Sequence, residues 1–271
     1  MKIGCRKFDT ERHTYVMGIL NVTPDSFSDG GKYMGTEAAL RRAGEMIREG
    51  ADIIDIGGQS TRPGFTFVTE DEEISRIVPV IEAIKKEYDV PVSADTFNAR
   101  TAEEAVRAGC DMINDIWGLS WDPRMAEVIA RSGACCCLMN NREEAFPQDM
   151  PAEEMLVALH KELEEIKDRA LRAGIKEDRI ILDPGIGFAK DPDQNLAVLG
   201  NLGRFRDLGL PMLLGASRKS VIGKATGAET ADRLPGTIVT TVLAVQAGYS
   251  FVRVHDVKEN LQAILMAEAV R

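Results

Sequence analysis

Long apolar runs are absent from this chain: none approaches the roughly 18–20 residues that a membrane-spanning helix needs. The opening residues, MKIGCRK, contain no apolar stretch of the kind found in a secretory signal. Positive charge is also in short supply, with 33 lysines and arginines against 43 acidic residues and a formal net charge of −10. This balance disfavours nonspecific binding to nucleic acid, although it allows one local cationic pocket. Together these absences predict a cytoplasmic protein that binds neither membrane nor nucleic acid.

Cysteines are few, and their placement is unlike that of disulfide or metal-binding cysteines. The chain has five, an odd number, and three of them are adjacent at 135–137. In an extended strand neighbouring sulfurs point to opposite faces, whereas a metal needs ligands that converge. We therefore expect this run to consist of small buried side chains that fill a strand. Linker-like and low-complexity stretches are absent too, which predicts one domain over 1–271.

A short apolar run followed by a helix-like segment recurs throughout the chain. The eight strand candidates lie at 16–20, 53–56, 92–94, 112–113, 135–139, 180–182, 212–214 and 251–254. They are apolar on both faces, as parallel strands covered by helices are. Eight such units predict an α/β protein with a (β/α)8 barrel of the TIM type. A doubly wound sheet would instead carry a Gly-x-Gly-x-x-Gly turn after its first strand, and NVTPDSFSDGG at 21–31 is not that turn.

Local signals add detail around these strands. Thr69 with Glu72 and Thr101 with Glu104 match the capping box, which predicts a helix start at each pair. Residues 1–12 precede the first strand, and we expect them to form a small hairpin that plugs the barrel at the end opposite the strand ends.

Each predicted strand stops at a polar or charged residue. The eight stops are Asn21, Asp55, Asp95, Asn114, Asn140, Asp183, Ser217 and Arg253. The carboxyl ends of barrel strands open onto one face, so these side chains should converge. Asp95, Asn114 and Asp183 would then face a planar ligand with several N–H donors, such as an aminopyrimidine. A single aspartate at a strand end is usually a helix cap, but several on one face are harder to explain in that way.

The last two strand ends carry positive charge. SRKS at 217–220 follows the seventh strand, and Arg253 and His255 lie at the end of the eighth. Loops at these places in a barrel often hold phosphate. Lys219 could also form a Schiff base, as lysines of barrel aldolases do, but its place in a turn favours a charge and hydrogen-bond donor. The pocket thus suits a ligand with a basic ring and an anionic tail.

The first two loops allow both a ligand-binding and a purely structural interpretation. Asn21 offers a neutral oxygen that suits Mg2+ beside a polyphosphate, but asparagine also forms Asx turns at strand ends. Arg62 lies in the glycine-rich GGQSTRPG at 57–64. Its planar guanidinium can pair with phosphate, but it can equally be solvated.

Five segments, in order over nearly the whole chain, closely resemble the dihydropteroate synthase family. They are GILNVTPDSFSDGG at 18–31, STRPG at 60–64, DPGIGF at 183–188, SRKS at 217–220 and RVHD at 253–256, of which the first and fourth are highly specific. The family is a (β/α)8 barrel transferase that joins 6-hydroxymethyl-7,8-dihydropterin diphosphate to 4-aminobenzoate and releases pyrophosphate in folate synthesis. The resemblance implies that fold, that reaction, a Mg2+ cofactor and a homodimer formed through outer helices late in the chain.

The resemblance also implies roles for particular side chains. Asp95, Asn114 and Asp183 match the residues that hold the pterin ring by its N–H edge, and Lys219 matches a lysine between the pterin and aminobenzoate sites. The residues that match those around the diphosphate are Thr61, Arg62, Arg253, His255 and, as the Mg2+ ligand, Asn21. The residues that match the aminobenzoate pocket are Pro63, Phe188 and Ser220. The residues implied to act in catalysis are Asp95, Asp183, Lys219, Arg253 and His255.

The chain departs from the family pattern at a few positions. Asn140 stands where the family commonly has histidine, Gln59 where glutamate is common, and Phe65 and Phe67 where small residues or proline are common. Two other functions stay open. One is a pterin-dependent methyltransferase on the same barrel, which needs no diphosphate site, and the segments at 18–31 and 217–220 argue against it. The other is a non-catalytic pterin-binding paralogue, for which Asn140 is the only hint.

Overall fold

The strands of the protein form a short hairpin and a barrel. The computed structural model describes residues 1–22, 32–59 and 68–271, without the side chains of 32–34. The hairpin strands are β1 (Lys2–Ile3) and β2 (Arg6–Lys7), which pair antiparallel. The barrel strands are β3 (Tyr15–Asn21), β4 (Ile53–Gly57), β5 (Val92–Asp95), β6 (Met112–Asp115), β7 (Cys135–Met139), β8 (Ile180–Asp183), β9 (Leu213–Leu214) and β10 (Phe251–Val254).

The barrel strands are all parallel and lie in the order β8-β7-β6-β5-β4-β3-β10-β9. The barrel closes where Leu182 of β8 forms a parallel bridge with Met212, just before β9. At this closure the backbone N–H of Leu182 donates to the carbonyl oxygen of Pro211 at 3.0 Å. The order and the closure confirm the predicted (β/α)8 barrel.

At least one helix follows each barrel strand. The helices of the described residues are α1 (Lys32–Glu49), α2 (Glu70–Glu87), α3 (Ala99–Arg107), α4 (Met125–Ser132), α5 (Ala152–Arg172), α6 (Pro192–Gly200), α7 (Ser220–Thr226), α8 (Leu234–Gln246) and α9 (Val257–Ala269). Within the described ranges, none of these helices is long and apolar enough to cross a membrane.

Two helix starts were predicted from capping patterns, and a tertiary contact overrides one of them. Oγ1 of Thr69 accepts a hydrogen bond from the backbone N–H of Glu72 at 3.2 Å, so α2 begins at its predicted cap. The second capping prediction is wrong, because α3 begins at Ala99 and Thr101 lies inside it. The hydroxyl of Thr101 instead donates at 2.8 Å to the carboxylate of Glu73, which is fully buried and needs hydrogen-bond donors.

The N-terminal hairpin plugs one end of the barrel, as predicted. Ile3 and Phe8 are buried and pack in the barrel interior with Met17 of β3 and Phe251 of β10. The rings of Phe8 and Phe251 lie 5.7 Å apart. The plug fills this end of the barrel, which leaves the carboxyl ends of the strands for a ligand.

The three adjacent cysteines fill β7, as expected. Cys135 and Cys137 belong to the interior cluster beside the hairpin, whereas Cys136 packs into the outer cluster between strands and helices. All five cysteines of the chain are free thiols. Burial raises the pKa of Cys136 and Cys137 well above the ordinary value, which keeps both thiols protonated and unreactive.

Candidate active site

Arg253 on β10 reaches across the barrel interior to two carboxylates. Because side chains alternate along a strand, Phe251 and Arg253 face the interior while Val252 packs against the helices. The Nε atom of Arg253 lies 2.6 Å from Asp55 Oδ2, and its Nη2 atom lies 2.5 Å from Asp95 Oδ2. Burial lowers the pKa of Arg253, but the two carboxylates outweigh burial and raise this pKa above its ordinary value. The positive charge at this point is therefore permanent.

Asp55 occupies a position that differs from the sequence prediction. A strand stop was expected here, but β4 continues to Gly57, and Asp55 lies within the strand, fully buried. Its Oδ2 atom accepts hydrogen bonds from Arg253 and, at 3.2 Å, from Nδ2 of Asn114, while its Oδ1 atom has no partner among the described residues. A carboxylate is tolerated inside a strand here because a guanidinium compensates its charge. The pattern of polar strand ends placed Asp55 at the open end of the barrel, but nothing in the sequence predicted its ion pair with Arg253.

Asp95 and Asp183 add two buried carboxyl groups from β5 and β8. Burial raises the pKa of Asp95 to about 7, against the opposing effect of the neighbouring guanidinium. Burial also raises the pKa of Asp183, against Lys219 and the backbone N–H of Gly185, which donates to Asp183 Oδ1 at 2.8 Å. A Cβ atom on Gly215 would lie 3.4 Å from Asp183 Oδ2 and 4.0 Å from Lys219 Nζ. The two charged groups therefore border the same space.

Lys219, in the turn after β9, reaches over the turn that follows β8. Its Nζ atom donates to the carbonyl oxygen of Ile186 at 2.5 Å and lies 4.5 Å from the centre of the Phe188 ring. Burial lowers the pKa of Lys219 to about 8, although Asp183 favours the charged form. Gly187 has a φ of 83°, and a Cβ atom there would lie 3.1 Å from Lys219 Cδ, so glycine suits this close approach. The predicted site residues that lie around this one pocket are Asp95, Asn114, Asp183, Phe188, Lys219 and Arg253.

Apolar side chains that the sequence did not single out form one wall of the same region. Phe97, Ile116 and Met139 make a buried cluster, against which Trp117 and Phe188 pack. Phe97 and Ile116 each stand two positions after a polar strand end, and in extended chain such positions point to the same side. This spacing is a signal that could have identified them. An apolar wall beside hydrogen-bond acceptors suits the face of a flat heterocycle.

Two further described candidates, His255 and Ser220, lie near the ends of β10 and β9. Nδ1 of His255 lies 3.0 Å from Ser217 Oγ, and the backbone N–H of His255 donates to the same oxygen at 3.2 Å. Ser220 is exposed and is the first residue of α7. Arg218 pairs with Asp256, with 2.9 Å between Nε and Oδ2, so its charge is already compensated.

Asn21, the last residue of β3, is the predicted metal ligand. A Cβ atom on Gly57 would lie 3.6 Å from Asn21 Oδ1 and 3.7 Å from Asp95 Oδ2, so both oxygens border the same space. In the part of the chain that the structure describes, no group of three or more His, Cys, Asp and Glu side chains could hold a metal ion. One amide oxygen at the strand end nevertheless fits Mg2+, because this ion keeps several waters and takes ligands from substrate phosphates.

Some predictions fall outside the described residues, namely those for Thr61, Arg62, Pro63, Phe65 and Phe67. Gln59, which precedes them, is described and buried. Its Nε2 atom donates to Oε1 of the buried Glu73 at 3.3 Å. A glutamate at this position would bring two carboxylates together, so glutamine is the residue that suits Glu73.

Comparisons with known proteins point to one family. The family described as pterin binding enzyme matches residues 17–255. The dihydropteroate synthase of Clostridium beijerinckii is 50% identical over 271 residues, which cover 100% of this chain and 99% of that protein. A solved dihydropteroate synthase from Clostridium difficile, in the presence of pteroic acid, has a TM-score of 0.93 at 48% identity and covers 97% of this chain and 99% of its own. One from Xanthomonas albilineans with 4-aminobenzoic acid has a TM-score of 0.90 at 40% identity and covers 95% and 93%.

Proposed function

Since the chain belongs to the dihydropteroate synthase family of pterin-binding enzymes, we propose that the carboxyl end of its barrel is the active site of this transferase. The enzyme condenses 6-hydroxymethyl-7,8-dihydropterin diphosphate with 4-aminobenzoate, which gives 7,8-dihydropteroate and pyrophosphate in folate biosynthesis. The observation that carries the site assignment is the ion-pair group inside the barrel. In it Arg253 joins Asp55 and Asp95, and Asp183 and Lys219 border the neighbouring space.

Asp95, Asn114 and Asp183 hold the pterin ring in this proposal. The Nδ2 group of Asn114 donates to Asp55, so the amide oxygen of Asn114 points away from that carboxylate. Two carboxylates and one amide oxygen then accept hydrogen bonds from the N–H edge of the ring, and such charge-assisted bonds are the stronger kind. Lys219 borders the other side of the ring, and the apolar wall described above packs against its face.

The diphosphate and the aminobenzoate occupy the outer part of the pocket. Two of the three guanidinium nitrogens of Arg253 are held by carboxylates, so Nη1 is the nitrogen that can turn toward the diphosphate. His255 lies two residues further along the chain, and Thr61 and Arg62 complete this group. Asn21 contributes its amide oxygen to Mg2+. Pro63, Phe188 and Ser220 border the aminobenzoate, with Ser220 near its carboxylate.

The reaction breaks the C–O bond between the pterin methylene and the diphosphate and forms a C–N bond to the amine of 4-aminobenzoate. The electron pair of the broken bond leaves with pyrophosphate, and the amine releases one proton to solvent. As the anion departs, positive charge develops on the pterin, and the carboxylates of Asp95 and Asp183 stabilise it in a water-poor pocket. Arg253 and His255 stabilise the departing anion, and Mg2+, when bound, adds positive charge beside the diphosphate oxygens. An aniline nitrogen is already nucleophilic, so a strong base is not required.

A synthase assay tests the proposal. Purified protein is given both substrates with Mg2+, and release of pyrophosphate is followed together with formation of 7,8-dihydropteroate. Each substrate is omitted in turn as a control, and a chelator is added in a parallel reaction. Absence of product, with pterin still bound, would favour the non-catalytic paralogue. Failure of pyrophosphate with Mg2+ to bind at all would favour the methyltransferase.

Pterin affinity should fall as the pH is lowered through about 7. Asp95 has to be ionised to accept the ring's N–H group, and burial raises the pKa of Asp95 to about 7. Below this pH the carboxyl group of Asp95 must lose a proton before it can accept the ring's N–H group, which lowers pterin affinity by up to about tenfold per pH unit. Calorimetry with a pterin that does not itself titrate in this range measures the effect. Asp95→Asn should bind more weakly at pH 8 and show a flatter profile; a variant with the wild-type slope would contradict this assignment.

We propose that two enzyme molecules form a homodimer through α8 and α9. Val239 on α8 and Leu265 and Met266 on α9 are 58%, 53% and 65% exposed, and the two helices pack against each other. Exposed apolar side chains grouped on neighbouring elements mark interaction surfaces. The double variant Leu265→Glu/Met266→Glu should sediment as a monomer in the ultracentrifuge while the wild type sediments as a dimer. Val157→Glu on α5, where the valine is 56% exposed, is the matched control and should leave the dimer intact. A monomeric wild type, or a variant that stays dimeric, would refute this interface.

We also propose that 1–271 form one domain and that the enzyme works in the cytoplasm. The N-terminal hairpin fills the barrel, and α9 is tied to the segment before β3 because the backbone N–H of Thr14 donates to Glu268 Oε1 at 2.8 Å. The free thiols suit a reducing compartment.

A further inference from the structure

The loop between β8 and α6, residues 184–191, has an unusual backbone at the edge of the pocket. Gly185, Gly187 and Ala189 have φ values of 71°, 83° and 50°. The left-handed region suits glycine, but it is strained for alanine. The loop presents the carbonyl oxygen of Ile186 to Lys219, so its shape decides one side of the pocket. Side-chain contacts are needed to maintain such a conformation.

Lys190 supplies these contacts from within the loop's own C-terminal part. Its Nζ atom donates to the carbonyl oxygens of Gly185 and Phe188, each at 3.2 Å. It also donates to Oδ1 of Asn140 at 3.1 Å. Three acceptors use all three N–H bonds of an ammonium group. Lys190 therefore ties both ends of the Gly185–Phe188 turn to the end of β7.

Asn140 orients this lysine. It is buried, and its Nδ2 atom donates to Glu162 Oε2 on α5 at 2.7 Å, which turns its amide oxygen toward Lys190. Its backbone N–H donates to the carbonyl oxygen of Asp183 at 2.9 Å, so the same residue also contacts the strand that carries Asp183. An amide keeps one acceptor and one donor group at every pH. Histidine, which is common here in the family, does not, because protonation turns its acceptor nitrogen into a donor.

We propose that Lys190, oriented by Asn140, is a positioning residue of the synthase: it keeps the 184–191 loop in the shape in which the backbone N–H of Gly185 orients Asp183 toward the pterin ring and Phe188 borders the aminobenzoate. The proposal rests on the function proposed above, because the pterin is the ligand that the loop would hold. Lys190 itself acts through the loop and through Asn140, not through contact with the reacting atoms. Asn140 in place of histidine, the only hint in the sequence of a non-catalytic paralogue, then marks a retained structural link and not a loss of activity.

The charge of Lys190 is sensitive to pH. The charged groups that face it are Asp183 on β8, Glu162 on α5, Lys219 after β9 and Arg142 after β7. Burial lowers the pKa of Lys190 to about 7, although Asp183 and Glu162 favour the charged form. A neutral amine has two N–H bonds, so above this pH one of the three acceptors loses its donor.

Lys190→Met tests the proposal because it keeps an unbranched side chain that is only one atom shorter and removes every side-chain N–H bond. At pH 6 the KM for the pterin diphosphate should rise about tenfold to a hundredfold relative to wild type at the same pH, since hydrogen bonds from a charged group are lost. At pH 9 this ratio should shrink, because the wild-type lysine has by then lost its charge. Lys167→Met is the matched control, since Lys167 donates to the carbonyl oxygen of Leu208 at 3.1 Å away from the pocket. Lys167→Met should leave the KM for the pterin diphosphate unchanged at pH 6 and at pH 9.

Asn140→His gives a second test that does not depend on how well Lys190→Met folds. At pH 8 a neutral imidazole can accept from Lys190 and donate to Glu162, and the KM should stay within about threefold of wild type. At pH 5.5 the imidazolium has no acceptor and adds a charge beside Lys190, so the KM should be about tenfold above wild type. Equal variant-to-wild-type ratios at the two pH values would overturn the positioning role. An inactive wild type would instead refute the proposed function, so the two failures are distinguishable.

Discussion

Arg253→Ala is expected to lose most synthase activity together with about 3–5 kcal/mol of unfolding free energy. Without the guanidinium, Asp55 and Asp95 lose the positive charge that pairs with both of them inside the barrel, and Asp55 is fully buried. The same change removes the nitrogen proposed to contact the diphosphate. Affinity for pyrophosphate with Mg2+ should therefore fall by a larger factor than affinity for a pterin. Denaturant unfolding measures the first effect and calorimetry the second.

Arg218→Ala is the matched control for this prediction. Arg218 pairs with Asp256 but is 36% exposed, so its removal should cost less than about 1 kcal/mol. Adding Asp55→Asn to Arg253→Ala should restore part of the lost stability, because one uncompensated charge is gone, without restoring activity. Equal losses of pyrophosphate and pterin affinity in Arg253→Ala would show that this arginine acts by holding Asp95 and not by binding the diphosphate.

Asp183→Asn should weaken pterin binding by about tenfold to a hundredfold and leave the barrel folded. The amide oxygen of asparagine can still accept the backbone N–H of Gly185, which Asp183 Oδ1 accepts at 2.8 Å. What is lost is the negative charge beside Lys219 and the second acceptor oxygen for the ring. Calorimetry with a pterin measures the affinity, and thermal unfolding establishes that the fold is intact.

Asp111→Asn is the control at the amino end of β6. Asp111 Oδ2 accepts from Lys85 Nζ at 2.8 Å and from the backbone N–H of Val92, the first residue of β5, at 2.9 Å. This change should lower the melting temperature without altering pterin affinity. An Asp183→Asn variant with wild-type pterin affinity would remove Asp183 from the binding site.

Strand positions followed from the sequence because each apolar run is short and ends at a polar or turn residue. The runs at 135–139 and 251–254 have the same bounds in the structure, and the first barrel strand extends the prediction by one residue at each end. Polar strand ends could be gathered into one site because parallel strands in a closed barrel end on the same face. Asp95, Asn114 and Arg253 were brought together by this argument alone.

Other features escaped prediction because they depend on distant contacts. Thr101 matches a helix-capping pattern, yet its hydroxyl donates a hydrogen bond to the carboxylate of Glu73, 28 positions earlier. Asp55 resembles a strand stop, yet it lies inside a strand because Arg253, 198 positions later, compensates its charge. Lys190 stands in no motif that we recognised, and its importance becomes visible only from the three acceptors around its Nζ atom.

Local pattern was enough to establish the eight strand–helix units, the barrel that they close and the chemical character of its open end, because periodicity and residue type are properties of short segments. Tertiary contacts alone settled which charges are paired, that the pKa of Asp95 lies near 7 and that Lys190 and Asn140 brace the β8–α6 loop. Ion pairing and desolvation arise between groups far apart in the chain, and their strength depends on distances and burial that only the folded barrel defines.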